Sequence, residues 1–177
     1  EGSTTLKKDT DKRKLIENEA DYILESKNKE RFIITIKNNV LMPTAGIDPY
    51  FDHYIMLPDD AQKTAQNIAN HLRKMHGLKK LGVLITDSKS IVLRRGTLGY
   101  AVGYSGFCGL KNYDDENDLF LEPKKRRKLV NRVDALAAAS VATMGEGREQ
   151  TPLAVIEDIP FISFNELCPS SLELSTL

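Results

Sequence analysis

The chain has 177 residues, 41% of them apolar and 28% charged, enough for one domain with a substantial core and ordinary for a soluble globular protein. Its 25 basic and 25 acidic side chains cancel, so no net field points toward nucleic acid or an anionic membrane surface. No apolar run approaches the ~20 residues needed to cross a bilayer. The two cysteines, Cys108 and Cys168, lie far apart without a C-x-x-C spacing, the pattern of a reduced protein of the cytoplasm.

In chain order, residues 10–26 read as a helix, with Thr10 as N-cap and Leu15, Ile16, Ala20, Ile23 and Leu24 at helical spacing. Phe32 to Lys37 is a β-rich run. Asn38-Asn39 suits the positive φ angles of a tight hairpin, and Val40 to Met42 is its return strand. Tyr54 to Leu57 is a further apolar run ended by Pro58. Asp59 or Asp60 then caps an amphipathic helix with Ala61, Ala65, Ile68, Ala69, Leu72 and Met75 on one stripe and Gly77 as its stop. Leu81 to Thr86 is apolar on both faces, as a central strand is. Leu98 to Tyr104 is a glycine-rich strand that invites close backbone approach. Residues 111–123 are polar and read as a loop, residues 126–144 as a long helix with small residues from Ala135 to Ala142, and Leu153 to Ile156 as a last strand. Helices mixed with hairpins, without a β-α-β rhythm, predict an α+β fold of mixed or antiparallel sheets with packed helices.

Three segments set acidic residues just past buried runs: Thr44-Ala45-Gly46-Ile47-Asp48, Ile85-Thr86-Asp87-Ser88 and Met144-Gly145-Glu146-Gly147. Taken singly, a strand ending in Asp is an ordinary turn or helix cap. Together, two or three carboxylates and a hydroxyl make a hard oxygen site suited to Mg²⁺ or Mn²⁺ carrying phosphate oxygens. Gly145 and Gly147 would let the backbone approach a phosphate. Arg94 and Arg95 could neutralise phosphate or carboxylate charge. The basic run Lys124 to Lys128 reads as a solvated face in a neutral chain, and His53, His71 and His76 have no metal-ligand spacing.

The three segments, with Leu57-Pro58-x-Asp60, Arg94-Arg95-Gly96, Gly99 to Gly106, Asn117 to Phe120, Val133 to Ala139 and Thr151 to Ile156 between and after them, resemble in order the framework of the coenzyme F-420:L-glutamate ligase (F-420-0:γ-glutamyl ligase) family. The resemblance implies an intertwined homodimer that uses GTP and Mg²⁺ or Mn²⁺ to join L-glutamate to a carboxylate acceptor through an acyl phosphate. By position, it implies that Asp48, Asp87, Ser88 and Glu146 are metal ligands. Gly145, Gly147, Arg148 and Thr151 would line the nucleotide, and no side chain acts as a nucleophile. The domain is expected over residues 1–160 and a tail over 161–177, with the family's nucleotide-binding Ser and Lys upstream of Glu1. No nucleic acid or membrane partner is expected.

Several positions depart from the family pattern. Phe51 stands where relatives have a nucleotide-binding Asn, Lys89-Ser90-Ile91 replaces a Gly-Arg element, and Phe120-Leu121-Glu122 replaces a Tyr-Gly-Arg. These changes leave three readings of the chain's activity: an acceptor like the F-420 precursor, a folate-type acceptor, or a non-catalytic homologue that keeps the dimeric fold.

Overall fold

A computed structural model of the chain describes residues 5–7, 11–24, 33–113 and 129–165, which form an α+β fold whose paired strands all run antiparallel. Strand β1 (Thr5–Lys7) precedes helix α1 (Lys12–Glu19). Thr10 lies outside the described residues, and the N-cap is Asp11, whose carboxylate accepts the N–H of Arg13 at 3.0 Å. The helix is shorter than the spacing predicts. Its last two apolar positions are claimed elsewhere: Tyr22–Leu24 is strand β2, with Ile23 and Leu24 registered against Thr35 and Ile34. The Asp21 carboxylate also accepts the Asn38 N–H at 2.7 Å, so tertiary pairing overrides local periodicity here.

Strands β3 (Ile34–Lys37) and β4 (Val40–Pro43) form the expected hairpin, with Asn38 and Asn39 at φ 51° and 62°. Next comes an unusual turn. Thr44, Ala45 and Gly46 all take left-handed backbone angles, φ 52°, 53° and 70°, a conformation that costs a side-chain-bearing residue roughly 1–2 kcal/mol. Thr35 holds it. Its fully buried hydroxyl donates to the carbonyl of Met42 at 2.8 Å and accepts the N–H of Ala45 at 2.8 Å. The chain leaves this turn through buried Ile47 into β5 (Asp48–Tyr50), which pairs with β6 (His53–Ile55), itself paired with β1.

Helix α2 (Ala61–His76) is capped by Asp60, which accepts the Lys63 N–H at 2.8 Å, and stops at left-handed Gly77. Ala61, Ala65 and Ala69 are buried, but Ile68 and Met75 of the expected stripe stay 40% and 57% exposed. The helix is seated through its smallest residues. Beneath it runs a long ribbon of β7 (Val83–Ser90) and β8 (Thr97–Ser105). Ile85 pairs with Gly103 and Thr86 with Ala101, so Val102 is the extra residue of a β-bulge.

Helix α3 (Arg132–Met144) packs on the same ribbon. It begins later than residue 126 because Leu129–Asn131 is strand β10, paired with β9 (Leu110–Asn112). Both helices come close because the ribbon lacks side chains at the right points. A Cβ at Gly99 would lie 2.6 Å from Val141 and 2.7 Å from the carbonyl of Ala137, and one at Gly103 would lie 2.5 Å from the backbone of Ala61. Ala101, Tyr104, Phe107, Val133 and Ala137 form the core between ribbon and α3.

Leu153 to Ile156, expected as a strand, pairs with no strand among the described residues, and Leu153 and Val155 are 87% and 84% exposed. Residues 161–165 return to the body: Phe164 bridges to Phe107, and Asn165 N–H donates to the carbonyl of Gly106 at 2.9 Å. The basic run 124–128, most of the polar loop and the segment beyond Asn165 lie outside the described residues.

Replacing Thr35 with Val keeps the shape and leaves a buried N–H and a buried carbonyl without this hydroxyl. Urea denaturation should show a loss of about 1–3 kcal/mol, with Thr35→Ser losing less; equal stability of Thr35→Val and wild type would refute the role given to this hydroxyl.

Candidate metal and phosphate site

Asp87 is the centre of the candidate site. It sits in the middle of β7 opposite Tyr100, and its Oδ2 is buried without a hydrogen-bond partner. A Cβ on Gly46 would lie 3.3 Å from this oxygen and 2.9 Å from Leu57. The left-handed turn therefore closes over Asp87, and only glycine fits there. Burial raises the Asp87 carboxyl to about 6, with the Ser88 N–H opposing the shift and the charges of Asp48 and Glu146 adding to it. The phenol of buried Tyr100 is also pushed up, first by burial and then by the charges of Asp87 and Asp134.

Asp48 and Glu146 reach this locality from different elements. Asp48 opens β5 immediately after the left-handed turn, and Glu146 follows the C-terminus of α3; both are exposed. Both stand close enough to Asp87 for their charges to be felt there. Among the described residues, however, no three His, Cys, Asp or Glu side chains close around one point in a metal-ligating group. The carboxylates are neighbours around Asp87, not a closed cage.

Ser88 belongs to the other side of the ribbon. Successive side chains of a paired strand leave on opposite faces, and Ser88 is registered against Gly99, which meets α3. Asp87 and Ser88 therefore present oxygens to two faces. Arg94 and Arg95 are exposed at the tip of the β7–β8 hairpin, where Arg94 N–H donates to the carbonyl of Ile91 at 3.2 Å. Gly145, Gly147, Arg148 and Thr151 share one loop after α3. It is tied back by the Thr151 hydroxyl, which donates to the carbonyl of Met144 at 2.6 Å. Arg148 in this loop is exposed.

Two neighbours, Lys89 and Asp134, belong to stretches noted in the sequence but were given no site role there. Lys89, two positions past Asp87 and so on its face of the strand, places Nζ 5.1 Å from the centre of the Tyr100 ring and 3.5 Å from Asp134 Oδ2. Asp134 Oδ1 accepts the Ala101 N–H at 2.9 Å, beside the bulge. The alternation of the strand from Asp87 was the available signal for Lys89. Asp134 pairs with the Asn131 N-cap of α3, a spacing visible in the sequence, but its bond to the Ala101 N–H was not.

An oxygen-rich locality with a buried, unpartnered carboxylate oxygen suits a hard cation and phosphate oxygens. The sequence profile described as F420-0:gamma-glutamyl ligase matches residues 1–158. The chain belongs to this family. Relatives named coenzyme F420:L-glutamate ligase are 37% identical over 132 residues in Methanococcus maripaludis strain S2, covering 73% of this chain and 52% of the relative. In Methanocaldococcus jannaschii the identity is 32% over 137 residues, covering 75% and 54%. In Haloarcula marismortui it is 33% over 122 residues, covering 66% and 46%. The chain thus spans about half the length of the family members it matches.

The raised Asp87 carboxyl makes a stability prediction. Its folded pKa of about 6 lies above the unfolded value, so the folded state binds more protons between about pH 4 and pH 6. Its contribution is fully present below the unfolded pKa and is lost as pH rises through 6. Without divalent metal, Asp87→Asn should match wild type near pH 4 and exceed it at pH 7.5, by on the order of 2 kcal/mol. Melting curves in a chelator across this range test it, and a difference that does not change with pH would contradict it.

Proposed function

We propose that the protein is a γ-glutamyl ligase that uses GTP and a divalent metal to form an amide bond between L-glutamate and a carboxylate acceptor. The observation that carries the reading is the buried Asp87 Oδ2 without a hydrogen-bond partner, beside two further carboxylates, in a chain of the γ-glutamyl ligase family. A carboxylate oxygen in that setting calls for a cation. Asp87 would hold a metal with Asp48 and Glu146, whose charges both reach it, and Ser88 would serve the opposite face of the ribbon. Bound Mg²⁺ or Mn²⁺ supplies charge neutralisation at phosphate oxygens.

The acceptor carboxylate is a poor electrophile until GTP converts it to an acyl phosphate; the amine of glutamate then displaces phosphate. The protein's part is positioning and charge balance. Lys89 offers a positive charge on the Asp87 face, and Arg94 and Arg95 offer two more at the ribbon tip. The acceptor named by the relatives, coenzyme F-420, is the first choice for this chain, and a folate-type acceptor the alternative. The exposed Leu153 and Val155 suit burial against a second copy in a homodimer, and the absence of any described helix long and apolar enough to cross a membrane is compatible with work in the cytoplasm.

One feature favours the non-catalytic alternative. Glu149 folds back on its own loop, where its Oε2 accepts the Gly147 N–H at 2.8 Å and its side chain fills the space a Cβ on Gly145 would need. It thus occupies a backbone donor that a nucleotide phosphate would use. In an active ligase Glu149 gives way, and Glu149→Gln should tighten GTP binding several-fold by removing a competing anion. Calorimetric titration would show this, and weaker binding would argue against the competition.

The main test is ligand stabilisation of the full-length protein. GTP with Mn²⁺ at a hundred times its Kd should add about 2.7 kcal/mol of stability, and Asp87→Asn should abolish most of that gain. A wild-type protein whose melting is untouched by GTP and Mn²⁺ is the non-catalytic homologue.

A further inference from the structure

The geometry points to Lys89 as a phosphate-binding residue, its ammonium taking the outer oxygens of a polyphosphate chain carried by a metal at Asp87. This rests on the phosphate-site reading above and names the side chain of this protein that grips the phosphate itself.

Lys89 follows Asp87 by two residues on β7, so both side chains leave the ribbon on one face, about 7 Å apart along the strand. Its backbone is registered against exposed Leu98, and an unconstrained lysine there would carry its ammonium out into water. Instead Nζ lies over the ring of Tyr100, 5.1 Å from its centre, and Tyr100 is the cross-strand partner of Asp87. The ammonium is thus turned back along the strand toward the acidic residues. Only 26% of the side chain is exposed, so hydration and rotamer freedom are given up to hold it there.

Among the described residues, no group needs the ammonium in that place. Asp134 is its hydrogen-bonding neighbour at a long 3.5 Å, and that carboxylate is served without it. Asp134 Oδ1 accepts the Ala101 N–H and Oδ2 the Asn131 side-chain amide, both at 2.9 Å. Asp87 does not take the ammonium either, since its buried Oδ2 has no hydrogen-bond partner. An ammonium carries three donors, and one long contact uses little of them. One face of the ribbon therefore holds a carboxylate oxygen that calls for a cation and, one strand repeat away, a cation with donors to spare. A metal ion alone answers the first and a free anion the second. A metal carrying phosphate answers both, and a lysine serves phosphate as a point charge. Lys89 lies in the stretch 89–91 that departs from the family pattern, so the assignment is particular to this chain.

The test is calorimetric binding by the full-length protein and its Lys89→Met and Lys89→Arg variants. The probes are Mn²⁺ alone, inorganic tripolyphosphate in saturating Mn²⁺, and L-glutamate. Lys89→Met keeps an apolar stem over Tyr100 and should melt close to wild type, because a partly exposed ion pair adds little. It should bind Mn²⁺ no more weakly than wild type, yet bind tripolyphosphate roughly tenfold more weakly, the usual loss of one charge-assisted hydrogen bond. Lys89→Arg should recover most of that affinity, because it restores the charge. If Lys89→Met folds poorly, Lys89→Gln, which keeps a donor without the charge, carries the same expectations. Equal binding of tripolyphosphate by wild type and the uncharged variant would overturn the assignment. So would weakened binding of Mn²⁺ alone, because Lys89 would then brace the metal site, and so would a loss confined to L-glutamate, the ammonium then holding a carboxylate. The phosphate-site reading fails separately, and takes the assignment with it, if wild type binds no tripolyphosphate or Asp87→Asn binds it unchanged.

Discussion

Removing a carboxylate from water is costly unless hydrogen bonds or a counter-charge replace the lost solvent, and this chain does so at Asp87 without providing an evident partner for Oδ2. Much of the surrounding structure bears on that choice. The ribbon supplies a rigid support, with α2 and α3 drawn close by Gly103 and Gly99. The left-handed turn at residues 44–46 supplies the lid, braced by the Thr35 hydroxyl. Strained backbone, buried charge and adjacent like charges each oppose folding, and their concentration around one side chain marks a functional place more than a structural one.

The turn also connects local strain to placement of the site. Ile47 is fully buried and Asp48 is exposed, so the chain emerges from the core at the residue that bears the next carboxylate. Ala45 is equally buried and serves the core cluster with Leu15, Ile16 and Met56. The same few residues thus fasten the N-terminal elements and aim Asp48. The position of Asp48 therefore depends on packing some distance from it, the Thr35 hydroxyl on β3 included.

Much of this was readable in the residues. The Asn38-Asn39 hairpin, the Asp60 cap, the Gly77 stop and the close approach at Gly99 and Gly103 follow from local rules, and the structure bears them out. The neighbourhood of Asp48, Asp87 and Glu146 was anticipated because each follows an apolar run. Strand β2 was hidden because Ile23 and Leu24 fit a helical stripe as well as a strand, and only the edge of β3 decides between them. Leu153 to Ile156 has the composition of a strand, but composition names no partner. The bond from the Ala101 N–H to Asp134 could not be found from spacing, since it lies beside a bulge that local sequence does not reveal.

The bulge at Val102 has a consequence for how such a ribbon can change over time. Asp87 and Ser88 serve opposite faces only while β7 and β8 hold one registration, and a slip by a single residue would exchange their compartments. The unmatched residue in β8, together with glycines that fit only beneath their own helices, acts as an index mark that penalises every other alignment. Insertions or deletions between residues 83 and 90 or 97 and 105 would break this alignment, whereas the exposed hairpin tip at 92–96 can change length without disturbing it. New sequence at the tip leaves the division between the ribbon's two faces untouched.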